Sequence, residues 1–575
     1  MTTEPIVEPT PRKPLRLWPG VIAAVLLTLG WFVIPKIYPD AILYGMLGGF
    51  ISVVAVAVWW LLFSRARWFE RVSAIALIVL ALYVTSHIIH ISLQNGGMGY
   101  LFFVVAVPFM SLALVGWAAA TRHLSDGVRR VSLVAAILLV CAGFALLRTG
   151  GINGYADSDW HWRWSKTPEQ KLLAQAEELA PLPTNPPTTT PGADWPGFRG
   201  AARDGVVHGT KIKTDWSASP PVELWRRPIG PGWSSFAIQG ELVYTQEQRG
   251  DDEVVASYNL TTGKPVWRHR DAARFWESNA GSGPRGTPTL SNGRVYSLGA
   301  TGILNALDAN TGAVIWSRNA ATDTSTKTPG WGFSSSPLVL DNMVIVALAG
   351  KLAAYDAAAG NPRWYGESSG SGYSSPHLVT IAGVPQVLLL GGPGATSVSP
   401  ADGKRLWEYP LSTNTRIVQP AMTAEGDVLV HDGESNGMRR LAVSNGAGGW
   451  TVTERWTSEG LNPYFGDFVV HKGYAFGVDG RGIACIDLKD GKRKWWGGSY
   501  GSGQLVLLAD QDLLLVVSEK GELALVKATP DQFTELARFA AIKGKTWNHP
   551  VVVGDKVLVR NDEEMAAFRL ASVDR

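Results

Sequence analysis

The sequence predicts a two-part protein: five membrane-spanning helices followed by an all-β propeller of eight blades. The first observation is a sharp change in composition. Residues 17–148 are dominated by Leu, Val, Ala and Ile, whereas residues 195–570 are rich in Gly, Trp, Val, Ser and Asp in short alternating runs. The second is a repeat in the later region, with a period of roughly 40–50 residues, which is typical of propeller blades.

Five apolar stretches are each long enough to cross a bilayer, which takes roughly 20 apolar residues per helix. They cover residues 17–35, 41–63, 72–91, 100–120 and 131–148. Further spans follow the first one and no small-residue cleavage site stands out, so a cleavable signal peptide is disfavoured. Residues 17–148 are therefore predicted to form a membrane bundle.

Basic residues are concentrated in alternate loops of this bundle. They lie in the tail of residues 1–16, after the second span and after the fourth span, as Arg12, Lys13, Arg16, Arg65, Arg67, Arg71, Arg122, Arg129 and Arg130. The positive-inside rule places these segments in the cytoplasm. Five crossings then put everything after Arg148 on the other side, and we expect a bacterial inner membrane with a periplasmic propeller.

A histidine pair lies near the outer end of the third predicted span. His87 and His90 are three residues apart, which on a helix places them on one face. A haem or quinone contact is one interpretation, because ionisable groups inside membranes are often functional. Side chains that reach toward the headgroups are the favoured interpretation, because the apolar run ends two residues later.

Residues 149–194 are predicted to form an interfacial segment and a linker. Trp160, Trp162 and Trp164 alternate with His161 and Arg163, a composition typical of a membrane–water interface. The sequence around 167–170 then resembles a helix N-cap followed by Pro. Leu172, Leu173, Ala176 and Leu179 give this short helix an apolar face. The Pro- and Thr-rich residues 181–191 predict an extended, semi-rigid spacer.

The repeat unit has the pattern strand, turn, strand, Asp–x–x–Thr–Gly turn and a last strand that ends in Trp. Residues 293–316 are its clearest copy. Asp or Asn with Gly supplies the turn, and the Trp buries a large apolar surface against the next blade. Eight such markers occur, at Trp225, Trp267, Trp316, Trp364, Trp407, Trp456, Trp495 and Phe539. Residues 546–570 lack a marker strand, so the early strand at 222–227 is predicted to close the ring.

Composition excludes some functions. The net charge of +3 gives no sign of nucleic-acid binding. The two cysteines, Cys141 and Cys485, belong to different regions, so a disulfide between them is not expected. Residues 281–286 match G-x-G-x-x-G formally, but Pro284 and the following Thr-Pro indicate a loop that enters a strand, which excludes a dinucleotide site.

The repeat resembles that of the pyrroloquinoline-quinone (PQQ) propellers, a family that includes quinoprotein dehydrogenases and the lipoprotein that assists outer-membrane protein assembly. Residues 194–205, with the sequence DWPGFRGAARDG, are similar to the entry motif of a membrane-tethered PQQ-like subfamily, and residues 518–526 fit the same group. The plan of five spans and a periplasmic eight-bladed propeller is also similar to membrane-bound quinoprotein glucose dehydrogenase. This resemblance implies PQQ and calcium as cofactors, and membrane quinone as an electron acceptor.

The segments that open the blades are expected to face the central channel. Arg285, Trp331, Ser335, Arg416 and Asn548 are the candidate cofactor-binding residues, with the two arginines as anion donors. Glu277 and Asn279 are candidate calcium ligands, since calcium prefers oxygen donors. A channel lined by polar residues and filled with water is the competing interpretation.

Two functions remain open. The sequence lacks a convincing Glu, Asn and Asp calcium set with a separate catalytic base. This favours a membrane-anchored scaffold or binding module, with envelope proteins as partners. The alternative is a PQQ-dependent alcohol or sugar dehydrogenase that passes electrons to membrane quinone.

Overall fold

The computed structural model describes residues 15–38, 41–154, 157–175, 194–367, 371–412, 416–433 and 436–573. Contacts between Cα atoms divide the chain into two compact units. The first is Met1–Ser165 with Ser278–Ala280, and the second is Lys166–Glu277 with Gly281–Arg575. The predicted spacer at 181–191 and the helix positions Ala176 and Leu179 lie outside the described residues.

The first unit contains five helices that are long and apolar enough to cross a membrane, as the sequence predicts. They are Trp18–Ile37, Tyr44–Phe63, Trp68–Ser86, Leu101–Ala120 and Asp126–Ala145. The loops after the second and fourth helices lie at the same end of the bundle. There Arg130 pairs with Glu70 at 3.2 Å, and Arg67 lies 3.8 Å from Asp126.

The third and fifth spans differ most from the prediction. The third helix ends at Ser86, with His87 as its C-cap, and His90 instead caps the short helix Ile91–Gln94 by accepting from the Ser92 amide. His87 and His90 therefore do not share a helix face. The fifth helix begins at Asp126, before the apolar stretch, because its first turn and a half is formed by residues that include the charged Asp126, Arg129 and Arg130.

A β-hairpin that the sequence does not predict follows the fifth helix. Its strands are Leu147–Ile152 and Ser158–Trp162, paired antiparallel. The short helix Pro168–Leu173 belongs to the second unit. Thr167 and Gln170 form a capping box at its start, where each side chain bonds the backbone of the other residue. A capping box satisfies two amides that the helix itself leaves without partners.

The second unit is an eight-bladed propeller, as predicted. Each blade is an antiparallel sheet of four strands, numbered here along the chain. Blade 1 consists of Ala237–Gln239, Leu242–Arg249, Asp252–Asn259 and Pro265–Asp271, and blade 2 of Thr289–Ser291, Arg294–Leu298, Ile303–Asp308 and Val314–Asn319. Blade 3 consists of Leu338–Leu340, Met343–Leu348, Lys351–Asp356 and Pro362–Tyr365, and blade 4 of His377–Ile381, Val384–Gly391, Gly394–Val398 and Arg405–Pro410.

Blades 5 to 8 follow the same order from the inner to the outer strand. Blade 5 consists of Ala421–Met422, Val428–His431, Met438–Gly446 and Gly449–Ser458, and blade 6 of Phe468–His471, Tyr474–Asp479, Gly482–Asp487 and Arg493–Gly497. Blade 7 consists of Gln504–Leu508, Leu513–Val517, Glu522–Lys527 and Glu535–Ala540, and blade 8 of Val551–Val553, Lys556–Arg560, Glu564–Arg569 and Val222–Pro228. Short elements outside these blades are Trp276–Glu277 paired with Gly281–Ser282, the turn of helix Ala320–Asp323, and Ala509–Gln511.

The ring closes as the sequence predicts. The early strand Val222–Pro228 pairs antiparallel with Glu564–Arg569, so the outer strand of blade 8 comes from the start of the propeller. This closure joins the two ends of the domain and removes an open sheet edge. A second strand from the same region, Val206–Val207, pairs in parallel with the inner strand of blade 7.

The structure supplies the physical reason for the Gly and Trp markers. The indole of Trp225 donates to the Leu260 carbonyl at 2.8 Å, and a Cβ at Gly263 would lie 2.6 Å from its ring. Gly263 also has a φ of +65°, which favours glycine. The same pairing of outer-strand Trp with the next blade's turn Gly recurs for Trp267 with Gly312, Trp316 with Gly360, Trp364 with Gly403 and Trp456 with Gly491.

Candidate functional site

Every blade contributes one partly exposed residue just before its inner strand. This residue stands two to four positions ahead of the strand, and the residue that follows it is buried in all eight blades. We call the set the mouth ring. It consists of Trp233, Arg285, Ser334, Tyr373, Ile417, Phe465, Ser502 and Trp547.

Contacts between these side chains place them close to the propeller axis. Phe465 of blade 6 lies 5.1 Å from Trp547 of blade 8, although blade 7 stands between them. Only near the axis can alternate blades touch, and blade 7 contributes the small Ser502 at this point. Trp547 also lies 4.9 Å from Trp233 of blade 1. The mouth ring is therefore an aromatic opening at one end of the channel.

Charged groups lie around this aromatic cluster. The Nζ of Lys545 is 4.6 Å from the centroid of the Trp547 ring and 5.4 Å from that of Trp233. Glu519 accepts a hydrogen bond of 2.7 Å from the Trp547 indole. Burial lowers the pKa of Lys545, while the carboxylates of Asp562, Glu277 and Glu519 act in the opposite direction. The mouth thus combines aromatic rings with a cation held among acids.

The other part of the channel is filled by residues 194–207, which we call the plug. The plug crosses the inner strands of several blades and is bonded to them through its backbone. Trp195 forms a bridge with Ile238 of blade 1, and the Pro196 carbonyl accepts from the Leu290 amide of blade 2 at 2.7 Å. Farther along, Val206 pairs with blade 7.

Two buried arginines anchor the plug beneath the mouth ring. Arg203 donates to the carbonyls of Ser336 at 3.0 Å and Pro337 at 2.8 Å, both in blade 3. Arg199 lies 3.2 Å from the Asp467 carboxylate of blade 6. His549 of blade 8 approaches the other oxygen of Asp467 at 2.5 Å. The plug therefore meets blade residues that lie only two positions beyond the mouth ring.

Burial and charge shape the titration of this cluster. Burial, together with the neighbouring Arg199, lowers the pKa of Arg203 to about 9. Burial alone would raise the pKa of Asp467, but the Arg199 guanidinium and His549 hold it below its ordinary value. Asp467 is thus a buried carboxylate that is paired and hydrogen-bonded, as a buried charge requires.

The two arginines predicted to bind an anion are occupied by carbonyls of the chain itself. Arg285 donates to Trp331 at 3.3 Å, to Ser282 at 3.1 Å, to Gly283 at 2.7 Å and to Gly281 at 3.1 Å. Its guanidinium also lies 3.6 Å from Glu277. Burial lowers the pKa of Arg285 to about 10, despite the opposing carboxylates.

Arg416 is used in the same way. It is 1% exposed and donates to the carbonyls of Gly391, Gly392 and Leu411, the last two at 2.6 Å and 2.9 Å. Burial lowers its pKa. Both guanidinium groups therefore fix the loops that open the blades, rather than presenting free donors to the channel.

The other predicted cofactor residues are placed as follows. The Trp331 ring lies 5.1 Å from Tyr373 of the mouth ring. Ser335 is buried, and its hydroxyl accepts from the Ala347 amide at 3.0 Å. The Asn548 amide donates to the Ser234 carbonyl at 2.8 Å and links blade 8 to blade 1. Trp331 is thus next to the mouth, while Ser335 and Asn548 hold the inner strands together.

The predicted calcium ligands fall in different units. Glu277 belongs to the propeller unit, whereas Asn279 belongs to the helical unit, where its side-chain oxygen accepts from the Gly97 amide at 3.0 Å. Across the residues that the structure describes, no group of three or more His, Cys, Asp or Glu side chains could hold a metal ion. Both predicted ligands are thus engaged by other groups, Glu277 by the Arg285 guanidinium and Asn279 by the Gly97 amide.

Several residues of the channel could not be identified from the sequence. Arg199 and Arg203 were part of the entry motif but gave no sign that they reach the axis. Trp233, Lys545 and Glu519 belong to no motif of the repeat. The one available signal for Trp233 and Trp547 is their common position ahead of an inner strand, four residues before Ala237 and Val551.

Comparisons with known proteins agree with the repeat. Residues 251–529 match the family model described as outer membrane protein assembly factor BamB. A curated relative from Yersinia pestis, named outer membrane protein assembly factor BamB, is 24% identical over 294 residues, which cover 50% of this chain. The match spans 62% of that relative's length.

Solved structures are also similar to the chain. BamB from Moraxella catarrhalis is 14% identical, with a TM-score of 0.45, and the match covers 61% of this chain and 100% of that one. Quinohemoprotein alcohol dehydrogenase from Comamonas testosteroni is 13% identical, with a TM-score of 0.47, and the match covers 67% and 81%. The family-model match over residues 251–529 is consistent with a propeller repeat of the PQQ-like kind.

Proposed function

We propose that the protein is a membrane-anchored scaffold whose propeller binds a polypeptide segment of an envelope protein at the mouth ring. The observation that carries this proposal is the partial exposure of Trp233, Tyr373, Phe465 and Trp547 around one axis. Trp, Tyr and Arg dominate the binding energy of protein interfaces, especially near the interface centre. The name of the curated relative, outer membrane protein assembly factor, supports a partner of this kind.

The depth of the opening also supports a docking surface. From the mouth ring to the level of Asp467 and the plug there are two residues of extended chain, or roughly 7 Å. The plug then fills the channel with its own arginines. A shallow aromatic opening suits side chains from a protein surface better than a ligand that must be enclosed on most sides.

The membrane topology is part of the same proposal. The basic loops after the second and fourth helices share one end of the bundle, where Arg130 meets Glu70. By the positive-inside rule this end is cytoplasmic, with the N-terminus, and the propeller is then periplasmic. A scaffold in this position would present its mouth ring to proteins that cross or fold in the envelope.

The alternative function, a PQQ-dependent dehydrogenase, draws on the Trp233 and Trp547 rings as a surface on which a planar quinone could stack. Against it stand the arginines, whose donors are taken by backbone carbonyls, and the predicted calcium ligands, since Glu277 lies near Arg285 and Asn279 accepts from the Gly97 amide. A dehydrogenase would also need a free carboxylate as the base, and Asp467 is already paired with Arg199 and His549.

Site-specific photo-crosslinking in living cells tests the scaffold function. A benzoylphenylalanine is introduced at Ile417 of the mouth ring, in the full-length chain. The control probe is at Lys489, an exposed residue in a turn at the rim of blade 6. We expect a discrete protein adduct from Ile417 and none of the same mass from Lys489.

A second variant tests whether the adduct depends on the mouth. Trp547→Ala removes the ring that contacts both Phe465 and Trp233, and we expect it to abolish the Ile417 adduct. Trp496→Ala is the matched control, because this Trp is 46% exposed on an outer strand. An adduct that survives Trp547→Ala, or equal adducts from both probes, would refute docking at the mouth.

A further inference from the structure

The hairpin after the fifth helix places aromatic and basic side chains where the apolar span stops. The helix ends at Ala145 and the first strand begins at Leu147. Leu147 and Ile152 pack against the apolar core of the helices, so the hairpin is continuous with the bundle. This position corresponds to the boundary between hydrocarbon and water in a bilayer.

Three tryptophans of the hairpin are exposed at this boundary. Trp160, Trp162 and Trp164 are 36%, 52% and 67% exposed. The Trp162 and Trp164 rings are stacked, with centroids 5.3 Å apart and an interplanar angle of 9°. Trp160 lies edge-on to Phe144 of the fifth helix at 6.5 Å. Large aromatic rings left exposed beside an apolar span are typical of contact with lipid headgroups.

The same hairpin carries two arginines. Arg148 pairs with His161 in the register, so its side chain lies on the face opposite Trp160 and Trp162. Arg148 is 9% exposed, and its guanidinium donates to the Ser165 carbonyl at 3.2 Å. Arg163 is exposed and donates to the Ile88 carbonyl at 3.5 Å. Among the described residues neither guanidinium forms an ion pair, since the nearby Asp159 is bound to His161 at 2.6 Å.

The two arginines also act on one neighbouring group. Burial lowers the pKa of His90, and the charges of Arg163 and Arg148 lower it further. Asp159 is the acid that acts on Arg148, and its carboxylate is also bound to His161. An anion here would gain charge-assisted hydrogen bonds from donors that the chain leaves open.

We propose that Arg148 and Arg163 bind the phosphate of an anionic phospholipid headgroup, with the Trp162 and Trp164 pair lying in the headgroup layer beside it. The charge of the arginines selects an anion. The continuity of the hairpin with the apolar helices selects a lipid rather than a soluble phosphate. This surface is independent of the mouth ring and of the function proposed for it.

Lipid retention by the full-length protein tests this proposal. The protein is purified in mild detergent, relipidated with phosphatidylcholine and phosphatidylglycerol, and the lipids that remain bound are quantified by mass spectrometry. We expect phosphatidylglycerol to be enriched over phosphatidylcholine, and Arg148→Gln with Arg163→Gln to reduce this enrichment by about fivefold per arginine. Inorganic phosphate added as a competitor should leave the enrichment unchanged.

The matched control is Arg65→Gln with Arg122→Gln, two arginines in the loops at the opposite end of the bundle. It should retain the enrichment, and Arg163→Lys should retain most of it because the charge is kept. Thermal melting of each variant confirms that the bundle is folded. Equal enrichment in wild type and the Arg148/Arg163 double variant, or displacement of the lipid by inorganic phosphate, would overturn the proposal.

Discussion

The two ends of the propeller channel are built from the same eight inner strands but differ in what they bury. At the plug end, Arg199 and Asp467 form a pair whose side chains are only 3% and 4% exposed. At the mouth, Phe465 and Trp547 meet across blade 7 and remain partly exposed. One end is thus closed by buried charge, while the other is left open as an aromatic surface.

This difference predicts that one end determines stability and the other binds a partner. Buried, hydrogen-bonded charges are costly to disturb, so the plug end should determine stability. Substitution of a partly exposed ring lowers the free energy of unfolding less than substitution of a buried group, so the mouth can bind a partner at a small cost in stability. The following predictions test this division, from the largest expected effect to the smallest.

Asp467→Asn should cause the largest loss of stability. It removes the carboxylate from Arg199 and His549 and leaves a buried guanidinium without its counter-charge. Breaking a buried pair in this way costs about 3–5 kcal/mol of unfolding free energy. Denaturant unfolding of the full-length chain in detergent measures it. Asp490→Asn is the control, because its partner Lys492 is exposed, and its effect should stay within about 0.5 kcal/mol.

A carboxyl away from both ends produces a separate pH effect. Burial raises the pKa of Glu253 to about 7, although its hydrogen bonds with Thr301 and Ala300 oppose this. Because the pKa is higher in the folded than in the unfolded chain, stability should fall as pH rises from about 4.5 to 7, by about 3 kcal/mol in total.

Glu253→Gln tests whether the pH dependence of stability comes from Glu253 rather than from the charged groups around the plug. The variant keeps an acceptor for the Ala300 amide but does not ionise. Its unfolding free energy should therefore lack the fall with pH that is expected of the wild-type protein over the same range. Denaturant unfolding of wild type and variant at pH 5 and pH 8 measures the difference. An unchanged slope in the variant would assign the pH effect to another group.

Gly200→Ala should destabilise the plug moderately. Gly200 has a φ of +85°, and a Cβ there would lie 3.2 Å from the Trp195 ring. An L-residue in this region costs about 1–2 kcal/mol. Gly446→Ala in the long hairpin of blade 5 meets no atom within 4 Å and is the control. Equal melting temperatures for the two variants would show that the plug does not contribute to stability.

Phe465→Ala should have the smallest effect on stability and the clearest effect on binding. The ring is partly exposed, so we expect a loss of about 1 kcal/mol, well below the 3–5 kcal/mol typical of a fully buried Phe. The Ile417 crosslink should nevertheless be lost. A stability loss above about 3 kcal/mol would place Phe465 with the structural residues instead.

Much of the fold could be predicted because its signals are local. Five of the marker Trp residues contact a turn Gly in the next blade, as Trp225 does with Gly263, so both residues recur at blade spacing. The early strand was assigned to the last blade because blade 8 lacked an outer strand of its own. Apolar length alone predicted the five helices, although it misplaced the end of the third.

The site was harder to predict because its contacts are distant in sequence. Arg199 meets Asp467 across 268 residues, and nothing in the entry motif indicates that partner. Arg285 and Arg416 have the residue type of anion donors, but backbone carbonyls occupy them. Whether an arginine is free depends on loop geometry, which composition and spacing do not determine.

Reconstitution with PQQ tests most directly whether the propeller is a docking scaffold rather than an enzyme. Purified full-length protein is mixed with PQQ and Ca²⁺, bound quinone is measured by absorbance, and dye reduction is followed over a panel of alcohols and sugars. We expect no stoichiometric quinone and no turnover, because the channel is filled by the plug and its arginines are occupied. Stoichiometric quinone with turnover would contradict the scaffold function.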